Sequence, residues 1–228
     1  MKLKTALIVL ALSSIAFTQS FANTITLGAN NGSYRVGVGG EFNWIPNGGN
    51  PDNLGAGYSA SALLGSGFES FCIQYGEHIS FGGTYEYAIG TAAKGPTGTD
   101  EVSVGTAWLY SQFATGTLAG YNYTPGAGRA ASAGDLQNAI WYLEGEISSI
   151  GSNAFITAAT THFGGLANAE QDALGSYGVY ALNLGPVGTK SDWCNQDQLI
   201  YCPVSEGGVT LAMLGFGLLG LALAKRRA

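Results

Sequence analysis

The sequence predicts an α+β fold that is strand-rich, with a β-sandwich or barrel-like core and two to three inserted helices. Glycine accounts for 36 of the 228 residues and often stands beside Asn, Ser, Thr or Pro, which favours short strands joined by turns. Runs rich in Val, Ile, Tyr and Phe lie toward both ends of the central part of the chain, and apolar residues at helical spacing lie between them. Together these observations place the helices in the middle of a strand-rich domain.

The predicted strands lie on either side of the helices. They are residues 34–45 (interrupted by glycines), 68–81 (one or two strands), 84–89, 177–185 and 197–202. Residues 46–57 and 93–100 are predicted to be loops because they are rich in Gly, Pro, Asn, Asp and Thr.

The first predicted helix covers residues 101–116. Within it Trp108, Leu109 and Phe113 recur at helical spacing, and Gly116 supplies a stop.

A second helix is predicted after a glycine-rich loop, residues 122–134. Ser132 or Asp135 can cap its start, and it continues to about Glu146. Two further short helices can follow, at residues 152–163 and 168–175.

The two ends of the chain are predicted to be sorting signals. Residues 1–22 have a cationic start, an apolar stretch and small residues before a cleavage point at Ala22, as in a signal peptide. A membrane anchor is the alternative, but the apolar stretch is short and ends in that cleavage-like sequence.

Near the C-terminus, residues 209–224 carry no charge and are followed by a basic cluster, residues 225–227. As a helix this stretch would be ~24 Å long, a marginal length for a membrane span, with its basic end held in the cytoplasm. A buried core helix is the alternative, which the wholly apolar composition disfavours.

The residues that precede this span resemble a known sorting motif. The C-terminal segment, residues 203–228, is similar to the tripartite signal of PEP-CTERM proteins in the variant that reads Val-Pro-Asp-x-Gly, with Ser in place of Pro and Glu in place of Asp. The matching residues are Val204, Ser205, Glu206, Gly207 and Gly208. This resemblance implies export by signal peptidase and an exosortase in a Gram-negative cell, tethering to the inner membrane before processing, and a final place on the cell surface or in the extracellular matrix.

Between the two ends, residues 23–202 form a strongly acidic predicted extracellular domain. They contain four Lys and Arg but fourteen Asp and Glu, a formal net charge of −10. Such a surface repels phosphate backbones, so nucleic acid is not an expected partner. The two histidines have no Cys or carboxylate at zinc-like spacing, so we expect no metal and no cofactor.

The chain has three cysteines. Cys194 and Cys202 lie eight residues apart in a chain with an export signal, and we expect them to form a disulfide across a hairpin-like turn. Cys72 is then left over. Its own chemistry favours a buried thiol that acts as a small apolar residue between Phe71 and Ile73.

Two short motifs resemble the signature motifs of bacterial thioester domains. The first is an aromatic residue, Cys and an aliphatic residue; the second is an apolar residue, Gln, two further residues, an aliphatic residue and Trp. They are Phe71-Cys72-Ile73 and Leu136-Gln137-x-x-Ile140-Trp141. The acidic residue that usually follows the first motif is Gln74 here.

This resemblance implies an internal thioester between Cys72 and Gln137, in a pocket formed by Phe71, Ile73, Ile140 and Trp141. Such a bond captures surface amines or hydroxyls of a protein or polysaccharide once per chain, so it serves covalent adhesion rather than enzymatic turnover. We expect Cys72 on a strand, Gln137 in the first turn or two of its helix, and Trp141 covering the pair.

Three functional hypotheses follow from the sequence. The first is an exported surface or matrix protein with an adhesive thioester. The second is a non-covalent structural or carbohydrate-binding matrix protein in which Cys72 and Gln137 are only packed. The third, a secreted enzyme, is least favoured, because the sequence offers neither a nucleophile motif nor a metal motif.

Overall fold

The computed structural model describes residues 23–28, 34–95, 98–189 and 193–203. The predicted signal peptide (residues 1–22), the sorting motif (204–208) and the apolar span (209–224) therefore lie outside the described residues. In the part of the chain that is described, no helix has the length and apolar character needed to cross a membrane.

Most of the strands belong to one antiparallel sheet of seven strands, in the order β11-β10-β7-β1-β4-β6-β5, and two small hairpins, β2–β3 and β8–β9, accompany it. The strands are β1 (Thr24–Leu27), β2 (Arg35–Val36), β3 (Gly39–Gly40), β4 (Phe42–Pro46), β5 (Leu63–Leu64), β6 (Gly67–Ser70), β7 (Thr84–Gly90), β8 (Ala92–Gly95), β9 (Gly98–Glu101), β10 (Val179–Pro186) and β11 (Asn195–Tyr201).

The sheet closes on itself where the chain leaves β6. Leu199 N donates to Phe71 O at 3.0 Å, and Ile73 N donates to Asp197 O at 2.9 Å. Between these two bonds, Cys72 and Gln198 form an isolated antiparallel bridge. Strand β11, at one edge of the sheet, thus pairs with the continuation of β6 near the other edge. The α+β, strand-rich prediction is confirmed, and this closure gives the core a barrel-like form.

The alternation of side chains along the strands sets which residues face the barrel interior. Trp44 pairs with Phe68 and Leu182 pairs with Gln198, so side chains at these positions share a face with Cys72. The neighbouring Phe71 points the other way, and its ring packs against Phe113 with centroids 4.9 Å apart.

In the described part of the chain there are four α-helices: α1 (Val104–Thr115), α2 (Ala127–Leu143), α3 (Ala154–Phe163) and α4 (Leu166–Ala169). Helix α1 packs on β10 and β11, α2 packs on the β2–β3 hairpin, and α3 and α4 pack against the other helices. The predicted first helix is confirmed. Ser103 caps α1 by accepting a hydrogen bond from Thr106 N, and α1 ends at Gly116, which has a φ of 74°.

Helix α2 begins earlier than the sequence predicted. The stretch 127–134 is helical rather than a loop, so neither Ser132 nor Asp135 caps the helix. Small residues allow this part of α2 to lie against the β2–β3 hairpin. A Cβ added at Gly134 would stand 2.8 Å from Val36 Cβ. Contact of small residues with the hairpin therefore stabilises this part of α2. The sequence there lacks the apolar periodicity from which a helix is normally recognised.

Other elements also differ from the prediction. The strand predicted at 68–81 ends at Ser70, and the two-residue strand β5 was not predicted. The loop predicted at 93–100 contains the paired strands β8 and β9. Only the beginning of 168–175 is helical, in α4. Strand β1 was not predicted; it lies directly after the proposed signal peptide, and its Ile25 and Leu27 are buried.

The predicted disulfide between Cys194 and Cys202 is wrong, and no disulfide joins these two residues. The segment between them is not a turn, because Asn195–Tyr201 forms the continuous strand β11. An extended strand rises ~3.3 Å per residue, which separates the two Cα atoms by roughly 25 Å. A disulfide needs Cα atoms within about 7 Å.

Candidate functional site

The structure brings Cys72 and Gln137 together from distant parts of the chain. Cys72 lies at the bridge that closes the barrel, and Gln137 lies well inside α2. Gln137 is not in the first turn or two of its helix, as the sequence suggested, because α2 begins at Ala127. Both residues are completely buried.

The side-chain amide of Gln137 fits against the backbone of Cys72. Gln137 Nε2 donates to Cys72 O at 2.8 Å, and Cys72 N donates to Gln137 Oε1 at 3.0 Å. These are the two hydrogen bonds that a neighbouring strand would make. Because Phe42 pairs with Ser70, the position opposite Cys72 falls at Gly40, and the Gln137 amide occupies this gap in the ladder.

A second backbone donor reaches the same carbonyl oxygen. Gly40 N donates to Gln137 Oε1 at 3.4 Å, so two N–H groups converge on this oxygen. Gly40 has a φ of 136°, a conformation that favours glycine. Paired N–H donors on a carbonyl oxygen resemble an oxyanion hole, and they would stabilise negative charge there if the carbonyl carbon were attacked.

The sulfur of Cys72 has its own hydrogen-bond partner. Gln198 Nε2 donates to Cys72 Sγ at 3.2 Å, and Gln198 Oε1 accepts from Trp44 Nε1 at 3.3 Å. Burial raises the pKa of the Cys72 thiol to about 12, while the Gln198 hydrogen bond and the charge of Arg35 act in the opposite direction. The thiol is therefore neutral, and the side-chain amide that contacts its sulfur is that of Gln198, whereas Gln137 contacts the Cys72 backbone.

Trp141 and the β2–β3 hairpin enclose the pair. Trp141 lies one helical turn beyond Gln137, is 3 % exposed, and meets the ring of Tyr75 edge-on at 4.9 Å between centroids. A Cβ added at Gly39 would stand 2.5 Å from both Gln137 Cγ and Trp141 Cη2. The hairpin backbone thus lies directly against the site and excludes water.

The other predicted pocket residues belong mainly to the core. Phe71 and Ile73 flank Cys72 in sequence, so alternation turns both side chains away from the sulfur. Phe71 packs against α1, and Ile73 and Ile140 are buried in the hydrophobic core. Of the four residues, Trp141 is the one that lies against Gly39, the hairpin residue that also lies against Gln137.

Sequence reasoning missed several residues that build this site: Gly39, Gly40, Trp44, Tyr75 and Gln198. Two adjacent glycines within a strand pattern were an available signal, since glycine there often marks a close approach of another backbone or ligand. Gln198 and Trp44 gave no local signal, because they are 154 residues apart and meet only through the closure of the barrel.

A cavity of about 330 Å³ lies beside the β2–β3 hairpin. Its wall includes the hairpin residues Gly37 and Val38 and also Tyr75. Since the Tyr75 ring packs on Trp141, the cavity reaches the outer wall of the site. Cys72, Gln137 and Trp141 do not line this cavity.

The functional argument rests on the geometry of the site, because comparisons with known proteins give no match. A scan of the chain against protein-family models finds no match, and searches of curated proteins and of solved structures find none either. Within the described ranges, no cluster of three or more His, Cys, Asp or Glu could hold a metal ion.

Proposed function

We propose that this chain is an exported cell-surface or matrix protein whose domain forms an internal thioester between Cys72 and Gln137 for covalent adhesion. The observation that carries this proposal is the placement of the Gln137 amide against Cys72, with its carbonyl oxygen between two backbone N–H groups. Both residues are completely buried, so this contact lies in a site that is closed to solvent.

Bond formation follows from the groups present. Cys72 Sγ attacks Gln137 Cδ, the Cδ–Nε2 bond breaks, and ammonia leaves with the thiol proton. The N–H groups of Cys72 and Gly40 stabilise the oxyanion that forms on Oε1.

Capture of a ligand then consumes the bond. An amine of a surface protein, or a hydroxyl of a polysaccharide, attacks Cδ, and the Cδ–Sγ bond breaks. The ligand's proton passes to the sulfur, and the ligand stays bound to residue 137. Each chain reacts once, so the product is an anchor and the protein is not an enzyme.

A second candidate function has an observation of its own. The Gln137 amide already makes both hydrogen bonds that the Cys72 backbone requires, which is sufficient reason for a buried Gln at this position. In this alternative the protein is a non-covalent structural or carbohydrate-binding matrix protein, and Cys72 is only packed.

Labelling with a fluorescent primary amine separates the two. We expect the mature protein to take up one label per chain, resistant to denaturation and located on residue 137. Cys72→Ala should abolish labelling. Cys202→Ala, which alters a half-buried thiol away from the site, serves as the matched control and should label normally. Equal labelling of wild type and Cys72→Ala would reject the thioester.

Export forms a separate part of the proposal and rests on the terminal sequence signals. Signal peptidase removes residues 1–22, residues 209–224 tether the chain to the inner membrane, and an exosortase then cuts near residues 204–208. Terminal peptide mapping of surface material should give a chain that starts near Asn23 and ends near residue 203. Surface protein with both original termini would contradict it.

A further inference from the structure

A second buried amide, that of Gln198, lies at the sulfur of Cys72. Gln198 Nε2 is 3.2 Å from Cys72 Sγ, and both residues are completely buried. The amide carbon Cδ is joined to Nε2 by a bond of about 1.33 Å, so it lies within about 4.5 Å of the sulfur. Both hydrogen bonds between the Gln137 amide and Cys72, by contrast, involve backbone atoms of Cys72. The amide in contact with the thiol is therefore that of Gln198.

The backbone at the closing bridge explains this contact. One backbone hydrogen bond precedes the Cys72–Gln198 bridge and another follows it, and neither joins the two bridged residues to each other. In such a non-hydrogen-bonded pair the Cα atoms lie about 4.5 Å apart, and the two side chains stand close together on one face of the sheet. Closure of the barrel thus holds a thiol against an amide that is 126 residues away in the chain.

Trp44 fixes the orientation of the Gln198 amide. An indole N–H can only donate, so the atom of Gln198 at 3.3 Å from Trp44 Nε1 is the oxygen, and the nitrogen faces the sulfur. Trp44 is completely buried, and its N–H points at the oxygen on which negative charge develops when the carbon is attacked. An acyl carbon and a donor for its oxyanion therefore lie beside the buried thiol.

We propose that Gln198 is a second acyl donor for Cys72, so that the thioester can join the two sides of the closing bridge. This inference rests on the proposed function. It keeps the internal thioester and the covalent capture of a ligand, and it adds the amide that contacts the sulfur. Because Cys72 carries one thiol, it forms one thioester at a time, with either Gln198 or Gln137.

Bond formation at Gln198 needs only groups that the site holds. Cys72 Sγ attacks Gln198 Cδ, and Trp44 Nε1 stabilises the oxyanion on Oε1. The Cδ–Nε2 bond then breaks, and Nε2 leaves as ammonia with the proton of the thiol. Burial raises the pKa of this thiol to about 12, so the proton is present. A ligand amine later attacks Cδ, the Cδ–Sγ bond breaks, the amine proton passes to the sulfur, and the ligand stays on residue 198 as an amide.

The Gln137 amide has a separate task in this reaction. Because the nitrogen is lost from Gln198, Gln137 retains both hydrogen bonds to the Cys72 backbone, and α2 stays fixed against the barrel. Gln137 then holds the residue that carries the thiol, and Gln198 supplies the carbon that the thiol attacks.

Replacing Gln137 by the acid of the same shape separates the two donors. The Gln137→Glu chain can lose ammonia at this site only from Gln198. A buried glutamic acid stays protonated, so it can donate to Cys72 O and accept from Cys72 N as Gln137 does. We expect mature Gln137→Glu protein to be lighter than its sequence mass by one ammonia and to take up methylamine on residue 198. Full sequence mass in this variant, with the wild type one ammonia lighter, would overturn the proposal.

A second substitution on β11 shows which amide reacts in that chain. Gln198→Glu added to Gln137→Glu should abolish both the loss of ammonia and the uptake of methylamine. Gln196→Glu is the matched control, because Gln196 is also buried but its side chain donates to Gln74 O. Added to Gln137→Glu, it should leave both reactions in place. Continued loss of ammonia in the chain with Gln198→Glu would overturn the assignment of Gln198.

Peptide mapping of the methylamine-treated wild type covers the case in which Gln137→Glu does not fold. The wild type keeps both amides, and we expect methylamine on residue 198 beside any on residue 137. Methylamine on residue 137 alone would overturn the role of Gln198 and leave the proposed function intact. A wild type at its full sequence mass that takes up no methylamine would overturn the proposed function, and this inference with it.

Discussion

Helix α2 reaches the barrel through two buried polar contacts of different chemistry. Arg129 forms a two-point ion pair with Glu41, with Nε–Oε1 at 2.8 Å and Nη2–Oε2 at 2.6 Å. Farther along the helix, Gln137 makes neutral hydrogen bonds to Cys72 and, more weakly, to Gly40. We call these the charged anchor and the neutral anchor. Since Gly40 and Glu41 are adjacent, both anchors hold α2 at the same edge of the barrel.

The charged anchor is a closed network. Arg129 also donates to Tyr123 O at 3.0 Å and to Ser61 O at 2.7 Å, and Glu41 accepts the hydroxyl of Tyr121. All the partners are satisfied, and none is placed to react. The neutral anchor holds an amide against the backbone of the residue that carries the buried thiol, and the proposed chemistry takes place at this residue.

The difference explains how the helix can keep its position during the proposed reaction. When Gln137 loses Nε2 as ammonia, the hydrogen bond to Cys72 O disappears. The Arg129–Glu41 pair is unaffected, so α2 stays in register while the neutral anchor changes chemically. The charged anchor should therefore dominate stability, and the neutral anchor should dominate reactivity.

Removing the cation of the charged anchor should have the largest effect. Arg129→Met leaves Glu41 buried and unpaired, and we expect the free energy of unfolding to fall by about 3–5 kcal/mol. Urea denaturation measures this loss. Arg129→Met combined with Glu41→Gln should recover part of it, because no charge is then buried alone. A loss below about 1 kcal/mol for the single variant would refute the charged anchor.

A side chain at Gly39 should disturb the neutral anchor from outside. Gly39→Ala places a methyl group within 2.5 Å of Gln137 Cγ, and we expect a loss of about 1–3 kcal/mol together with faster hydrolysis of the thioester. Gly76→Ala is the control, because a Cβ there meets no atom within 4 Å. Thermal unfolding measures the loss of stability, and intact mass over time measures hydrolysis. Similar behaviour of Gly39→Ala and Gly76→Ala would contradict close contact at Gly39.

The charged region should also make stability depend on pH through Glu69. Burial and the nearby charge of Glu41 raise the pKa of Glu69 to about 8, although Asn43 donates to one of its oxygens. Between pH 4.5 and 8 the folded chain therefore keeps a proton that the unfolded chain has released. Stability is fully present below this window and is lost as the pH rises through it.

Glu69→Gln tests this dependence, because it removes the ionisable group and keeps the shape. In the wild type, the free energy of unfolding should decline between about pH 5 and 8. The variant should reduce this decline by at least about 1 kcal/mol, which is the equivalent of less than one pKa unit. Burial raises the pKa of Asp197 to about 7, so Asp197 adds a decline of the same sign. The Glu69→Gln variant should retain this second decline. A wild-type protein that gains stability over this range would contradict the sign.

The smallest stability effect is expected at Cys72. Cys72→Ala keeps the backbone groups to which Gln137 bonds, so we expect a loss of only about 1 kcal/mol. The same variant should lose all covalent capture. Gln137→Met, which removes the amide from those backbone groups, should cost more stability than Cys72→Ala. The reverse order in urea denaturation would show that the amide does not anchor the helix.

The part of the site that could be predicted is the part that short sequence motifs identify. The motifs around Cys72 and Gln137 identified a pair that the fold does bring together, and alternating residues identified β7, β10 and β11. The start of α2 was missed because contacts of small residues with the β2–β3 hairpin stabilise it. The prediction of a Cys194–Cys202 disulfide was wrong because residue spacing does not reveal whether the chain between two cysteines turns or runs straight. Gln198 could not be found, since its role depends on the closure of the barrel.

The intact mass of the mature protein, before and after methylamine, tests the central claim most directly. The thioester predicts an initial mass lower than the sequence mass by one ammonia. After treatment the mass should rise by one methylamine, carried on residue 137, and the Cys72 thiol should become available to alkylation upon unfolding. A mass equal to the sequence mass, unchanged by methylamine and with a Cys72 thiol that alkylates on unfolding without treatment, would contradict the thioester and leave Gln137 as a structural anchor alone.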